Sequence, residues 1–258
     1  MSSVTISLIT LNQRHHLERL LPTLRPAATR CGATVRLVDN RSTDNSSDFV
    51  RKAYPEIIIN PNPNQAGYGA NHNINLRQSD TDYFVIMNSD MMVEEHLFSR
   101  LAEFMDANPD VGIVSPRVLN EDGTIQGLNK RYPTLFDLVA RKFFSPSLQN
   151  RFRKRLDAYE MRDVGYDHQY DVPLLSGAFM FCRTDVLKRL SGFDESFFLY
   201  FEDFDLCRRV QKTHRTLYYP FVSVIHFWER ATRKSWRFSM YFAAGAFRYF
   251  QRWGWRFF

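Results

Sequence analysis

The chain of 258 residues is 44% hydrophobic and 24% charged, values that are ordinary for a globular protein. They exclude a collagen, a coiled coil and a disordered tail, and they fit one large domain or two smaller halves. The 34 basic and 28 acidic residues give a formal net charge of +6. This excess suggests an anionic partner, which leaves nucleic acid, anionic lipid and phosphorylated substrates open.

Cysteine usage and the N-terminal residues indicate the compartment. The three cysteines lack metal-binding spacing, and their odd number argues against a disulfide framework; they are Cys31, Cys182 and Cys207. The N-terminal residues show no signal-peptide pattern, and no apolar stretch approaches the ~20 residues that span a bilayer. We therefore expect a cytoplasmic protein without a membrane-spanning helix.

Apolar periodicity over the first 116 residues predicts alternating strands and helices. Strands are predicted at 4–11, 34–38, 57–59, 83–87 and 111–115, and helices between them at about 17–24, 44–52, 68–77 and 94–105. This alternation is typical of an α/β protein with a mostly parallel sheet and helices on both faces. Ligands of such sheets bind beyond the carboxyl ends of the strands, so the polar residues there are the first candidates for a functional site.

The alternation stops after residue 116, which predicts a second architectural half. Its predicted elements are a hairpin at 118–126, a buried strand at 172–181 and a helix from Glu202 through Val210. The six Lys and Arg residues within 141–155 are typical of a solvated helix face, although an anion-facing helix stays open.

The ends of the predicted strands carry carboxylates and amides instead of a phosphate-binding loop. The sequence has no Gly-x-Gly-x-x-Gly after the first strand, no P-loop lysine and no Gly-x-Ser-x-Gly elbow, which removes the usual support for dinucleotide, P-loop and hydrolase chemistry. The polar groups at the strand ends are Asp39, Asn40, Asn64, Asn71, Asn73, Asn88 and Asp90. Such groups can bind a base and a ribose, and a carboxylate can hold a divalent cation against a diphosphate.

Eight segments, among them Val38-Asp39-Asn40, Asn88-Ser89-Asp90 and the run from Phe201 to Arg209, follow one another along the chain. They are 6–12, 38–46, 64–71, 87–90, 176–178, 192–195, 200–209 and 225–226. In this order the segments resemble family 2 glycosyltransferases of the GT-A type. The run from Phe201 and the later histidine with its basic aromatic tail are similar to bacterial rhamnosyltransferases that build O-antigen and related cell-surface polysaccharides.

The resemblance implies a GT-A fold and an inverting transfer, in which an acceptor hydroxyl attacks the anomeric carbon of a nucleotide-activated sugar. The implied donor is dTDP-L-rhamnose, with UDP-glucose, UDP-galactose and UDP-galactofuranose as open alternatives, and the implied acceptor is a polyprenyl-diphosphate-linked saccharide. Residues 1–116 would form the nucleotide-sugar-binding half and residues 117–228 the acceptor-binding and catalytic half. The reaction needs a base for the hydroxyl and a cation, Mg²⁺ or Mn²⁺, for the diphosphate.

On this resemblance Asp39 contacts the nucleobase, with the backbone from Thr10 to Asn12 beside it. A turn or helix-capping aspartate is the other interpretation of Asp39. Gly67 would let the chain approach the nucleotide closely, although an ordinary glycine-rich turn is also open. The full set of implied donor contacts is Thr10, Asn12, Asp39, Asn64, Gly67, Asn71, Asn88, Arg230 and Lys234.

Asp90 and His226 are the implied metal ligands. Asn88 stands where the family's fuller Asp-x-Asp pattern has its first aspartate, so the sequence departs from the family here. One carboxylate can suffice, because Mg²⁺ keeps several waters and takes substrate phosphate oxygens. His226 matches a family histidine, although a lone histidine at the end of an apolar strand is more often structural.

Asp203 matches the family's catalytic base, and Glu202 is the neighbour that positions the acceptor or substitutes for the base. Both residues open a predicted helix, whose N-terminus favours an ionised carboxylate. Helix capping alone is the other interpretation of this pair. The implied acceptor-binding residues are Ser176, Gly177 and Ala178.

The tail at 229–258 concentrates basic and aromatic residues. From residue 230 onward it contains seven Lys or Arg and no acidic residue. One helical stripe is predicted from the spacing of Trp236, Met240, Ala243, Phe247 and Phe250. Such a helix is typical of an interfacial anchor on an anionic leaflet, here the inner face of the cell membrane. A helix packed on the catalytic half or in a homo-oligomer is equally open.

Two other classes of protein deserve comparison. A nucleic-acid-binding protein is suggested only by charge and interleaved aromatics, without an RNA-recognition strand pattern, so we expect no nucleic-acid partner. A noncatalytic relative is suggested by the missing carboxylate at the metal site. The retention of Glu202, Asp203 and His226 together argues against it.

Overall fold

The computed structural model describes residues 2–227 and 236–258. Its first elements are β1 (Val4–Thr10), α1 (Arg14–Arg30), β2 (Thr34–Asp39), α2 (Ser46–Ala53), β3 (Ile58–Pro61), α3 (Tyr68–Arg77), β4 (Tyr83–Met87), β5 (Met91–Val93), α4 (Leu97–Ala107) and β6 (Val111–Leu119). They are followed by α5 (Leu135–Phe143), α6 (Pro146–Arg151), α7 (Arg153–Tyr159), β7 (Tyr170–Asp171), β8 (Phe179–Arg183), α8 (Thr184–Arg189), α9 (Glu202–Val210), β9 (Arg215–His226) and α10 (Trp236–Trp253). Every strand and helix predicted for the first 116 residues is present.

The strands form one sheet in the order β3-β2-β1-β4-β8-β6-β9-β5, and β7 pairs with β9. The strands β3, β2, β1 and β4 run parallel, as the alternation predicts. β8 enters antiparallel to both β4 and β6, while β6 and β9 are parallel, so the sheet is mixed beyond β4. The expected boundary at residue 116 falls inside β6, and the two halves share this sheet.

Two buried apolar layers cover the faces of the sheet. Alternate residues of β4 join the two layers, Val85 the first and Ile86 the second, and β4 is buried along its whole length. The first layer is completed by four fully buried leucines at helical spacing in α1, namely Leu17, Leu20, Leu21 and Leu24. The predicted α/β arrangement with helices on both faces is confirmed.

The buried strand predicted at 172–181 is wrong in its first part. Only Phe179–Arg183 forms β8, and the residues before it are irregular apart from one bridge between Leu174 and Lys130. Pro173 has no N–H to donate to a strand ladder, which limits pairing in this segment. The irregular segment is nevertheless buried. Its residues are apolar because they are buried, and this apolar run led to the prediction of a strand.

The excursion between β6 and β7 begins with the predicted hairpin. There the Gln126 N–H donates to the Val118 carbonyl at 2.9 Å. The helices α5, α6 and α7 follow and carry the basic residues of 141–155. Two of these basic residues make ion pairs of 2.6 Å, Arg141 with Glu160 and Arg155 with Asp137. The basic stretch is therefore helical but only partly a solvated face.

The helix α10 confirms the helix predicted in the tail, but its buried face is not the predicted stripe. The buried residues are Gly245, Ala246, Tyr249 and Phe250. Of the predicted stripe, Trp236, Met240, Ala243 and Phe247 are exposed, and Phe250 is buried. The helix thus packs on the rest of the chain with one face and presents apolar side chains to solvent with another. Among the described helices, none combines the length and apolarity of a membrane span.

Candidate active site

The carboxyl ends of β1, β2 and β4 lie side by side at one edge of the sheet. Thr10 and Asp39 are register partners across β1 and β2, and Asn88 directly follows β4. The Asn40 N–H donates to the Thr10 carbonyl at 2.9 Å, which extends the pairing beyond the strands. Parallel pairing therefore brings these polar residues to a common edge.

The carboxylate of Asp39 organises the turn after β2. Its Oδ1 accepts from the Ser42 N–H at 2.7 Å, and its Oδ2 accepts from the Ser47 hydroxyl. Asn12, in the left-handed region with φ 56°, accepts from the Thr43 N–H at 2.7 Å and so ties the loop after β1 to the same turn. Asp39 therefore stabilises a turn, which is one of the two roles that its sequence position suggested. Its contact with a nucleobase stays a prediction.

The loop before α3 is fixed by its own residues. The Asn71 amide donates to the Gly67 carbonyl at 2.9 Å and accepts from the Asn62 amide at 2.8 Å. A Cβ at Gly67 would lie 2.4 Å from the Phe198 carbonyl oxygen, so glycine is required here by protein packing. Asn64 is exposed, and its N–H bonds the Asn62 side chain. The nucleotide contacts implied for these three residues stay predictions.

Asp90 and His226 face one another across β5 and β9. The pairing of Met91 with His226 places Asp90 Oδ1 3.2 Å from His226 Nε2. The Gln126 side chain orients the imidazole, because its amide donates to the His226 carbonyl at 2.8 Å and its oxygen accepts from Nδ1 at 2.9 Å. This leaves Nε2 to face the carboxylate. Burial favours a raised pKa of Asp90, but the hydrogen bond and charge of His226 outweigh it and hold the pKa below its ordinary value.

This pair has the chemistry of an incomplete metal site. Among residues 2–227 and 236–258, no group of three or more His, Cys, Asp or Glu side chains could hold a cation. Asp90 and His226 could provide two ligands, and donor diphosphate and water oxygens would provide the rest, which is how Mg²⁺ is commonly bound in phosphate-transfer sites. Asn88 lies beside them, with Nδ2 3.5 Å from His226 Nε2, but its oxygen accepts from the Tyr68 hydroxyl at 3.0 Å.

The second pair of carboxylates opens α9. Tyr200 and Phe201 precede it with φ of 72° and 69°. These two consecutive residues in the left-handed region set the direction in which the helix begins. Asp203 Oδ2 accepts from the Gly177 N–H at 2.9 Å and Oδ1 from the Phe204 N–H at 2.8 Å. Burial outweighs these bonds and raises the pKa of Asp203 to about 6.

Glu202 differs from Asp203 in its surroundings. It is only 4% exposed, and its Oε2 has no hydrogen-bond partner among the described residues. Burial, and after it the charge of Asp203, raises the pKa of Glu202 well above its ordinary value. Burial thus disfavours the charged form of Glu202, whereas two backbone N–H bonds favour the charged form of Asp203.

Tyr68 connects the two carboxylate pairs. Its hydroxyl lies 2.7 Å from the Gly177 carbonyl and 3.0 Å from Asn88 Oδ1, so it joins the segment that holds Asp203 to the residue beside His226. Burial, followed by the charges of the surrounding carboxylates, raises the pKa of this hydroxyl well above its ordinary value. The sequence segment 64–71 contains Tyr68, but its pattern predicts no role for this residue. The aromatic residue between two glycines at a helix start was the available signal.

The segment 176–178 borders both parts of the site. The Ala178 carbonyl accepts from the Asn88 N–H at 3.0 Å, and Ser176 Oγ accepts from the Ala178 N–H at 3.3 Å. A Cβ at Gly177 would lie 3.3 Å from the Asp203 Cβ, so a side chain there would crowd the carboxylate. Acceptor binding by this segment stays a prediction. Arg230 and Lys234, the implied diphosphate contacts, lie outside the described residues.

Comparison with known families agrees with this geometry. Residues 5–190 match the family model described as glycosyl transferase family 2, and the chain belongs to this family. The chain is 27% identical over 236 residues to the N-acetylglucosaminyl-diphospho-decaprenol L-rhamnosyltransferase of Mycobacterium tuberculosis, a match that covers 84% of this chain and 74% of the relative. It is 23% identical over 170 residues to rhamnosyltransferase WbbL of Escherichia coli, covering 62% of this chain and 61% of the relative.

Solved structures share the fold. The mannosyltransferase PcManGT from Pyrobaculum calidifontis, in complex with GDP-Man and Mn²⁺, aligns with a TM-score of 0.63 at 19% identity. The alignment covers 91% of this chain and 59% of that protein, so the chain spans about three fifths of its length. The GT-A fold expected from the sequence is confirmed.

Proposed function

We propose that the protein is an inverting transferase that moves L-rhamnose from dTDP-L-rhamnose to a hydroxyl of a polyprenyl-diphosphate-linked saccharide. The observation that carries the proposal is the half-buried Asp203 beside Gly177, linked through Tyr68 to the Asp90 and His226 pair. The names of the mycobacterial and E. coli relatives support rhamnose, and the mycobacterial name also supports a lipid-diphosphate acceptor. UDP-glucose, UDP-galactose and UDP-galactofuranose are the alternative donors of the same site.

The proposed chemistry needs one proton transfer by the protein. The ionised Asp203 takes the proton of the acceptor hydroxyl as its oxygen attacks the anomeric carbon, and the bond from that carbon to the diphosphate breaks on the opposite face. With a pKa of about 6, Asp203 is mostly ionised at neutral pH and remains basic enough to accept the proton. The Gly177 N–H holds the carboxylate in place, and the burial of Glu202 disfavours a second negative charge beside it.

The donor would lie along the carboxyl ends of the strands. In this proposal Asp39, with Thr10 and Asn12 beside it, holds the base, and Asp90 with His226 holds Mg²⁺ or Mn²⁺. When bound, the cation neutralises charge on the leaving diphosphate. The donor half is residues 1–116, and the acceptor half is residues 117–228.

The tail is proposed to place the enzyme on an anionic membrane surface, where a lipid-linked acceptor resides. The exposed residues of α10 include Trp236, Met240 and Phe247, and the tail from residue 230 has seven basic and no acidic residues. Buried aromatic area and Coulomb attraction then act together on an anionic leaflet.

A panel of nucleotide sugars tests the proposal. Melting temperature is measured with dTDP-L-rhamnose and the three UDP-sugars, each with and without Mn²⁺. A donor at 100 times its dissociation constant stabilises the native state by ~2.7 kcal/mol, so the true donor gives a clear shift. We expect dTDP-L-rhamnose with Mn²⁺ to give the largest shift and to support transfer to a lipid-linked saccharide. A larger shift with a UDP-sugar would replace rhamnose as the donor sugar, and no shift with any of them would contradict the proposed function.

A further inference from the structure

Two segments without a carboxylate lie next to one another in the fold. Residues 138–156 contain six Lys or Arg and no Asp or Glu, and residues 236–258 contain four Arg and no Asp or Glu. The Lys142 ammonium of α5 lies 4.3 Å from the centre of the Phe242 ring of α10. After α10 the chain returns to the start of α5, where the Leu135 N–H donates to the Arg256 carbonyl at 2.7 Å. These contacts place α5 beside α10, so basic side chains of both segments lie on one side of the molecule, where Arg141, Arg155 and Arg252 also pair with Glu160, Asp137 and Asp194.

Aromatic rings run continuously between the same two segments. From α10 the Phe247 ring lies 5.8 Å from Trp255, which lies 6.0 Å from Phe257. The next residue, Phe258, lies 5.1 Å from Phe136 at the start of α5. The large apolar side chains of this region that are more than half exposed are Phe143, Trp236, Met240, Phe247, Phe257 and Phe258. A cluster of exposed large apolar side chains is typical of an interaction surface.

We propose that α5, α6 and the C-terminal residues 236–258 form one basic aromatic surface, the composite face, that binds an anionic lipid bilayer. The inference rests on the proposed membrane contact of the tail. It adds a second contact segment, residues 139–148, which lies far from the tail in sequence. The exposed Val139 and Phe143 lie one helical turn apart on α5, and Leu148 of α6 is exposed beyond them. A bilayer fits this face because it offers both negative headgroups for the basic residues and an apolar boundary for the rings.

The position of the face relative to the catalytic pair favours a membrane occupant. On the side of α10 away from the exposed stripe, the Tyr249 ring packs 5.7 Å from Phe201, the residue directly before Glu202. The exposed stripe of α10 is therefore separated from the start of α9 by the thickness of this one helix. A saccharide whose lipid is held in the bilayer would be presented close to Asp203.

Vesicle co-sedimentation with the full chain tests the composite face. The probes are phosphatidylglycerol-containing vesicles and neutral phosphatidylcholine vesicles, and the variants are Phe143→Glu in α5, Leu148→Glu in α6 and Phe247→Glu in α10. The control is Phe221→Glu, at a comparably exposed phenylalanine of β9. One unfavourable charge at an anionic surface weakens partitioning about fivefold, and the lost aromatic burial adds to this for the phenylalanines. We expect at least this loss for each face variant, weak binding to neutral vesicles, and no more than a twofold change for the control.

The outcomes separate the composite face from the tail alone. If Phe247→Glu loses binding while Phe143→Glu and Leu148→Glu bind like the wild type, the composite face is wrong and the tail anchor stands. If the wild-type chain fails to bind anionic vesicles, both are wrong. If sedimentation velocity shows a wild-type dimer that the face variants convert to monomer, a second copy of the chain occupies the face and the bilayer assignment is overturned. Unchanged transfer to a short soluble acceptor confirms that each variant is folded.

Discussion

A single methyl group at Gly245 should disturb the proposed catalytic residue Asp203 and its neighbour Glu202 from a distance. A Cβ at Gly245 would lie 2.6 Å from the Tyr200 carbonyl oxygen and 3.1 Å from Phe201 Cδ2. Carbon and carbonyl oxygen normally approach no closer than about 3.3 Å, so α10 and the turn must separate by about 0.7 Å. The turn has little freedom to yield, because Tyr200 and Phe201 are both left-handed and the Phe201 carbonyl accepts the Asp205 N–H at 2.9 Å.

This displacement reaches the reaction because α9 begins at the next residue, Glu202. A misplacement of about 1 Å at a reacting group can cost about 100-fold in rate, so Gly245→Ala is expected to lower kcat by about 10- to 100-fold. Overpacking of this kind also lowers the free energy of unfolding by about 1–3 kcal/mol. Donor affinity should change little, because the atoms nearest to a Gly245 Cβ belong to Tyr200 and Phe201, whereas Asp39 ends β2 and Asp90 precedes β5.

The assay compares kcat for sugar transfer with the dissociation constant for the donor, alongside thermal melting. The matched control is Ala244→Gln, which adds a larger side chain at the neighbouring, exposed position of α10 and should leave all three quantities near the wild type. If Gly245→Ala transfers sugar at the wild-type rate and melts at the wild-type temperature, α10 does not hold the catalytic turn and the reasoning is refuted.

Three further predictions concern the two carboxylate pairs. Asp203→Asn should lower transfer by ~100- to 10,000-fold with donor binding within a few-fold, because the base is lost. Glu202→Gln should lose far less, because burial already disfavours the charged form of Glu202, and equal losses in the two purified variants would contradict the assignment of the base. The transfer rate should rise with pH through about 6 and then level, because Asp203 must lose its proton to act as the base. Because the pKa of Asp203 is raised in the folded protein, its contribution to the free energy of unfolding should fall as the pH rises from 3.8 through about 6. If the rise of the rate with pH persists in Asp203→Asn, another group is responsible for that rise. In calorimetry, Asp90→Ala should weaken nucleoside diphosphate binding more in Mn²⁺ than in EDTA, whereas Asp39→Ala should weaken it equally in both buffers. An equal loss of affinity for Asp90→Ala in the two buffers would exclude a role of Asp90 at the metal.

The GT-A fold and much of the candidate site could be predicted from the sequence because their signals are local. The helical spacing of the α1 leucines and the apolar run of β4 each report burial within one element, and α3 and β4 have the predicted bounds. The carboxylates of α9 were placed correctly in the first turn of a predicted helix. A single element determines these features, so a pattern of a few consecutive residues is enough to predict them.

Contacts between distant residues could not be predicted in this way. Gln126 orients His226 across 100 positions of sequence, and Gly67 is required by the backbone of Phe198, so neither role has a local pattern. The tail shows the same division. Its sequence alone determined an amphipathic, basic and aromatic helix, but only the tertiary structure decided which face is buried. Packing on Phe201 selects the face that includes Gly245, because a Cβ at this position would already lie 2.6 Å from the Tyr200 carbonyl oxygen, and the predicted stripe is left largely at the surface.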